Sequence, residues 1–132
     1  MHQGGCQCGK VRYEVSGELV HHALCHCGDC RLSAGAPMVA WLAVQESQLT
    51  LLSGELSTYE GKNGAVRQFC PICGTGLFYR NAVVLPGIAD IQSVTLDDTA
   101  QLAPAAHIQC AERLPWMGKL DEMPEFERFP EG

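Results

Sequence analysis

The segment "CHCGDC", residues 25 to 30, places three cysteines in six positions. Two further motifs stand apart from it, "CQC" at residues 6 to 8 and "CPIC" at residues 70 to 73. Thiolate sulfur is a soft ligand that suits tetrahedral zinc or iron, and these spacings match no ferredoxin pattern, so zinc is the metal expected. Residues two apart in an extended segment point to one side. Cys6 with Cys8, and Cys25 with Cys27, are therefore each read as a pair facing one metal, with Gln7 and His26 facing away. "CPICG" resembles a zinc knuckle: Pro71 stiffens the turn, and Gly74 is free to take a positive φ after the second sulfur.

Seven clustered cysteines cannot close two four-sulfur sites. One partition joins Cys6 and Cys8 to Cys70 and Cys73 and leaves Cys25, Cys27 and Cys30 as a three-sulfur site. The other joins Cys27/Cys30 to Cys70/Cys73, the commoner zinc-ribbon pairing, and strands the rest. Both contain one tetrathiolate zinc, and spacing alone does not choose between them. A disulfide framework fits less well, because near neighbours of the C-x-C kind bridge poorly. Cys110 stands alone and reads as a small buried apolar residue. His21, His22 and His107 are isolated and read as surface, core or hydrogen-bonding residues rather than ligands.

The elements that must position these sulfurs are short. "KVRYEV" sets Val11, Tyr13 and Val15 on one face and Arg12 and Glu14 on the other, a half-buried strand. "MVAWLAV", "QLTLL", "VRQFC", "GLFYR" and "IADIQSVTL" read as further strands, bounded by Gly, Pro, Ser or Asn. One short helix is expected around "DCRLSAG", ended by Gly35. The tail from Leu114 carries three prolines and is no long helix. The fold class is mainly β, in a single domain over residues 1–132.

With 132 residues the chain is long enough to bury roughly two thirds of its unfolded surface. Its net charge is −6 with no block of like charges, which speaks against nucleic acid or an anionic membrane as partner. The longest apolar stretch, "AGAPMVAWLAV", is interrupted by Pro37 and falls short of the roughly 20 residues a membrane span needs. The first ten residues show no apolar run of the signal-peptide kind, so the expectation is a soluble cytoplasmic protein.

The stretches "GGCQCGKVRYEVSG", "CHCGDCRLSAG", "FCPICGTGLFYR", "VTLDD" and "HIQCAERLPWMGKLDEMPEF" occur in this order along the chain. Together they resemble the glutathione-dependent formaldehyde-activating enzyme family, which includes the centromere protein V-like domains. The resemblance implies an Mss4-like β-tent of short twisted antiparallel sheets. It implies a structural zinc on Cys6, Cys8, Cys70 and Cys73. It also implies a second, catalytic zinc on Cys25, Cys27 and Cys30, whose fourth position is left for water or substrate. That choice of partition comes from the resemblance. Where the family commonly has "CGTPLF", this chain has "CGTGLF", and Gly76 in place of Pro is expected to loosen a turn near the first zinc.

The function implied is a zinc-dependent carbon–sulfur lyase acting on the adduct of glutathione, or another small thiol, with an aldehyde. The alternative is a zinc module that carries such a thiol without turnover. The three-sulfur zinc is expected to be the more weakly held. Around it, Trp41, Phe78 and Trp116 are candidate apolar walls. Arg31 is a candidate carboxylate partner. Asp29 or His26 is a candidate proton carrier or support for the metal ligands.

Overall fold

The computed structural model describes residues 1–130. In chain order the elements are β1 (His2–Gly5), β2 (Arg12–Val15), β3 (His21–Cys25), α1 (Gly28–Ala34), β4 (Val39–Gln45), β5 (Leu49–Ser53), β6 (Ser57–Glu60), β7 (Ala65–Phe69), β8 (Gly76–Asn81), β9 (Ile88–Gln92) and β10 (Ala106–Ile108). Short 3₁₀ turns join several of them, and the longest stretch, Pro115–Glu122, kinked at Lys119, opens the proline-containing tail. The expected mainly β class with short strands is what forms. No helix among the described residues is long and apolar enough to cross a membrane.

The strands make two sheets, one ordered β1-β2-β5 and one ordered β10-β3-β4-β9-β8-β7-β6. Neighbours pair antiparallel except for β10, which runs parallel to β3 and departs from the all-antiparallel expectation. Strands β1, β3, β6 and β10 were not expected. Their sequences, "HQGG", "HHALC", "STYE" and "AHI", lack an alternating apolar pattern. They are recruited by neighbours that already have one. The segment "IADIQSVTL" is a strand only to Gln92. There Thr95 Oγ1 donates back to the Gln92 carbonyl at 2.7 Å and a 3₁₀ turn begins.

Burial alternates along β2 as its sequence dictates, with Val11, Tyr13 and Val15 at 1% exposure or less. In β4 nearly every residue is buried, because both faces of the large sheet are covered. One face sends Leu42, Val44, Leu77, Phe78 and Ile91 into the main core beside Tyr13, and Cys6 and Cys70 lie in that same core. The other face carries a smaller cluster of Val39, Trp41, Cys25 and Cys30, with Tyr79 packed against it. The sheet thus separates the two groups of sulfurs into two environments.

Helix α1 begins and ends as its residues require. Cys27 is its N-cap, with the sulfur accepting from the Cys30 N–H at 3.2 Å. Asp29 in the first turn favours the positive end of the helix. Gly35 closes it in the left-handed conformation at φ 63, donating to the Arg31 carbonyl at 2.8 Å.

The close approach of β5 to the first cysteine turn depends on a glycine. Gly54 sits at φ +87, and a Cβ there would lie 2.5 Å from the Lys10 carbonyl oxygen. Gly9 has a similar φ of +81 but no atom within 4 Å of such a Cβ. Gly9→Ala should therefore carry only the left-handed-backbone cost of about 1–2 kcal/mol. Gly54→Ala adds the clash and should melt at a clearly lower temperature. Equal melting points for the two variants would contradict this reading of the turn.

Candidate metal centres

Cys6, Cys8, Cys70 and Cys73 come together, with their sulfurs all within 4.8 Å of one another. Each pair sits in a tight turn, closed over three residues in the first and four in the second. In the first, Gly9 N–H donates to the Cys6 carbonyl at 3.0 Å and Val11 N–H to the Cys6 sulfur at 3.2 Å. In the second, Gly74 N–H donates to the Cys70 carbonyl at 2.8 Å, and Ile72 and Cys73 N–H groups approach the Cys70 sulfur at 3.4 and 3.5 Å. Gly74 takes φ +80, as the knuckle reading anticipates. The first pair differs from its expectation: Cys6 and Cys8 share a metal-facing side through a turn, not through an extended strand.

The donor set fits a tetrahedral thiophilic cation. Sulfurs about 2.3 Å from a common centre stand about 3.8 Å apart. Here Cys6 and Cys8 sulfurs are 3.5 Å apart and those of Cys8 and Cys70 are 3.8 Å apart. Thr75 stitches the two turns together, a role with no signal in the sequence. Its hydroxyl accepts from Gln7 N–H at 3.1 Å, which directs its own proton to the Cys73 sulfur at 3.2 Å. That hydrogen bond is the main reason the Cys73 thiol is held down to about 5.

Cys25, Cys27 and Cys30 form the second group, their sulfurs also within 4.8 Å of one another. Cys25 ends β3, Cys27 caps α1 and Cys30 lies in the first helical turn, so one strand-to-helix junction supplies all three. The Cys30 thiol is held down to about 5, first by a hydrogen bond from Cys25, while Cys25 is pushed up by the same pairing and by burial. A cation in their midst would replace those shared protons, since the thiolate is the ligand form. No fourth His, Cys, Asp or Glu joins this group among the described residues.

A cleft of about 750 Å³ opens between α1 and the sheet, lined in part by Asp29, Trp41, Arg67, Phe78 and Gln92. Arg67 links it to the three-sulfur group, with Nη2 3.9 Å from the Cys30 sulfur. The guanidinium lies over the Tyr79 ring, 4.9 Å from its centroid. Register places these residues in one row across the sheet: Ala43 opposite Asp90, Asp90 opposite Tyr79, Tyr79 opposite Arg67. The Asp90 carboxyl is pushed up to about 6, by burial first and by the Cys30 sulfur next.

The expected pocket residues fare unevenly. Trp41 and Phe78 line the cleft although only 7% and 3% exposed, whereas Trp116 stands 46% exposed in the tail. Arg31 is not among the cleft residues, and its Nε faces the His26 carbonyl at 3.4 Å. His26 is fully buried, with Nε2 2.9 Å from His107 Nδ1 and the two rings stacked. It turns from the sulfurs as its alternation predicts, and His107 takes the hydrogen-bonding role expected of it. His22 hydrogen-bonds Ser93 Oγ at 2.7 Å. Cys110 is exposed, not buried, and accepts from Arg113 at 3.2 Å. Gly76 does not loosen a turn: it begins β8 opposite Phe69, and a Cβ there would lie 2.6 Å from Gln92 Nε2. Its bareness gives the Gln92 amide its place in the cleft.

Residues 1–112 match the family model described as glutathione-dependent formaldehyde-activating enzyme, so the tail resemblance beyond Glu112 lies outside the matched span. An uncharacterized lyase of Schizosaccharomyces pombe is 26% identical over 110 residues, spanning 74% of this chain and 80% of its own. A crystal structure of a Rhodobacter sphaeroides protein superposes with a TM-score of 0.63 at 24% identity, covering 80% of this chain and 98% of that one. The structural likeness speaks to the fold.

The two groups of sulfurs should respond differently to mutation. Cys70 is 0% exposed in the main core and ties the chain across 62 residues to Cys8. Cys70→Ser should therefore lower the melting temperature strongly or prevent folding, because a metal held there would be coupled to folding. Cys30→Ser should leave a cooperative melt and reduce bound metal by one site. A melt in which Cys30→Ser is the more damaging change would reverse the assignment of roles.

Proposed function

The chain belongs to the glutathione-dependent formaldehyde-activating enzyme family, and we propose that it is a carbon–sulfur lyase acting on the adduct of a small thiol, such as glutathione, with an aldehyde. The observation that carries this is the inequality of the two sulfur groups, four ligands against three. Cys6, Cys8, Cys70 and Cys73 would hold a structural zinc, closed on all corners. Cys25, Cys27 and Cys30 would hold a second zinc with one corner open, beside the cleft. A zinc ion bound there supplies a positive charge that lowers the pKa of a thiol and polarises a carbonyl oxygen.

The chain's own residues handle the rest. In the direction of adduct formation the thiol loses its proton, its sulfur bonds to the carbonyl carbon, and the C=O electron pair moves onto oxygen, which then takes a proton. Cleavage runs the same steps backwards. One group must exchange that proton near neutral pH. Asp90, in the same cross-strand row as Tyr79 and Arg67 and raised to about 6 by burial and the Cys30 charge, is the carboxyl suited to it. Trp41 and Phe78 give the cleft apolar walls that restrict water around the reacting sulfur.

The decisive assay uses zinc-replete protein with glutathione and formaldehyde. Adduct formation should exceed the spontaneous rate, and Cys27→Ala should abolish the excess while the fold persists. Binding of glutathione without any acceleration would instead favour the thiol carrier.

The pH profile makes a second test. Asp90 must be ionised to accept the thiol proton, so activity in the forming direction should fall on the acid side, with the limb below about 6 once a zinc ion offsets the Cys30 charge that helps raise this carboxyl. Asp90→Asn should lower the rate and remove that acidic limb. An unchanged limb in the variant would assign it to another group.

A further inference from the structure

Arginines on these strands are normally matched by a carboxylate. Arg12 donates from both terminal nitrogens to Asp97, and Arg80 donates to Glu46 at 2.8 and 3.0 Å. Arg67 differs. Among the described residues its contacts are the Tyr79 ring face and one long approach, 3.9 Å, to the Cys30 sulfur. No ion pair among them includes it. A guanidinium has five N–H donors in a rigid planar fork and stays charged at any working pH. Most of that fork is unspent, it lines the cleft, and it stands next to the open three-sulfur group.

We infer that Arg67 is a catalytic residue that binds the negative oxygen of the adduct. The inference rests on the lyase reading above. When the thiol sulfur bonds to the carbonyl carbon, the C=O pair becomes an alkoxide one bond from the carbon attached to sulfur. A sulfur held beside Cys30 puts that oxygen within reach of the Arg67 fork. The guanidinium stabilises the charge without taking part in proton transfer, since it does not deprotonate; the proton that finishes the adduct is the one Asp90 took from the thiol. Its seat over the Tyr79 ring restrains the guanidinium beside the sulfurs, so its donors are in place before the charge appears. The same fork also offsets the negative charge that a substrate thiolate adds to three cysteine thiolates.

The test combines kinetics with an equilibrium measurement on zinc-replete wild type, Arg67→Met and Arg67→Lys, each first confirmed to melt as the wild type does. Arg67→Met should lose about a hundredfold or more in kcat with little change in KM for glutathione, and Arg67→Lys should recover part of it. Calorimetric titration compares thioglycolate, which carries an anionic oxygen near its sulfur, with neutral 2-mercaptoethanol. Wild type should prefer thioglycolate by about tenfold or more, and the preference should vanish in Arg67→Met and persist in part in Arg67→Lys. An active wild type whose Arg67→Met variant keeps both its kcat and the thioglycolate preference overturns the inference. A wild type without turnover overturns the lyase reading. In that case the calorimetry still decides whether Arg67 is an oxyanion site, by the presence or absence of an Arg67-dependent preference.

Discussion

Closure of four sulfurs around one point is the constraint on which the rest of this structure depends. Cys8 and Cys70 are 62 residues apart in the chain, and bringing such distant segments together is opposed by loop-closure entropy. The residues between the sulfurs, Gln7 in the first turn and Pro71 and the exposed Ile72 in the second, add little apolar burial against it. A cation on Cys6, Cys8, Cys70 and Cys73 would do so directly, converting ligand-binding free energy into folding free energy. Cys6 and Cys70 lie inside the main hydrophobic core, so that closure and packing of Tyr13, Leu77 and Ile91 reinforce each other. Thr75 adds the last tie, bonded on one side to the Gln7 backbone and on the other to Cys73.

With one group of sulfurs fixed in the core, the other can be spared for chemistry. The seven-stranded sheet presents its second face to Cys25, Cys27 and Cys30, which come from a single junction between β3 and α1. Three local sulfurs need no long-range closure to meet, so a metal held there could exchange a partner without unlocking the fold. The sheet also lends that site residues from other strands: Trp41 from β4, Asp90 from β9 and Arg67 from β7. The four-sulfur group and the three-sulfur group thus lie on opposite faces of one set of strands.

Much of this was legible in the residues themselves. The cysteine spacings name the ligands, α1 carries its start and stop signals in Cys27, Asp29 and Gly35, and β2, β4, β7 and β8 show apolar patterning. Spacing did not select the partition of the sulfurs; the family resemblance did, and the distances agree with it. The strands that escaped notice are those whose own pattern is weak and whose pairing is decided by neighbours. Arg67, Asp90 and Thr75 were missed for a related reason. Their placement follows from cross-strand register between segments far apart in sequence, which no local window contains. Arg31 is a candidate carboxylate partner by its place next to Cys30 in the chain, yet the helix turns it toward the His26 carbonyl. Cys110 reads as buried by residue type but sits in an exposed turn beside Arg113.

The central claim, that one sulfur group is closed and the other open, is tested most directly by X-ray absorption at the zinc edge, on wild type and on a variant lacking the second group, Cys25→Ser/Cys27→Ser/Cys30→Ser. The variant should retain one zinc with four sulfurs at about 2.3 Å, and the difference between the two spectra should show a zinc with three sulfurs and one lighter ligand from solvent. Addition of a small thiol should replace that lighter ligand by a fourth sulfur in the wild type and change nothing in the variant. A second zinc already closed by four ligands of the chain, or a first zinc lost together with the second group, would contradict the account.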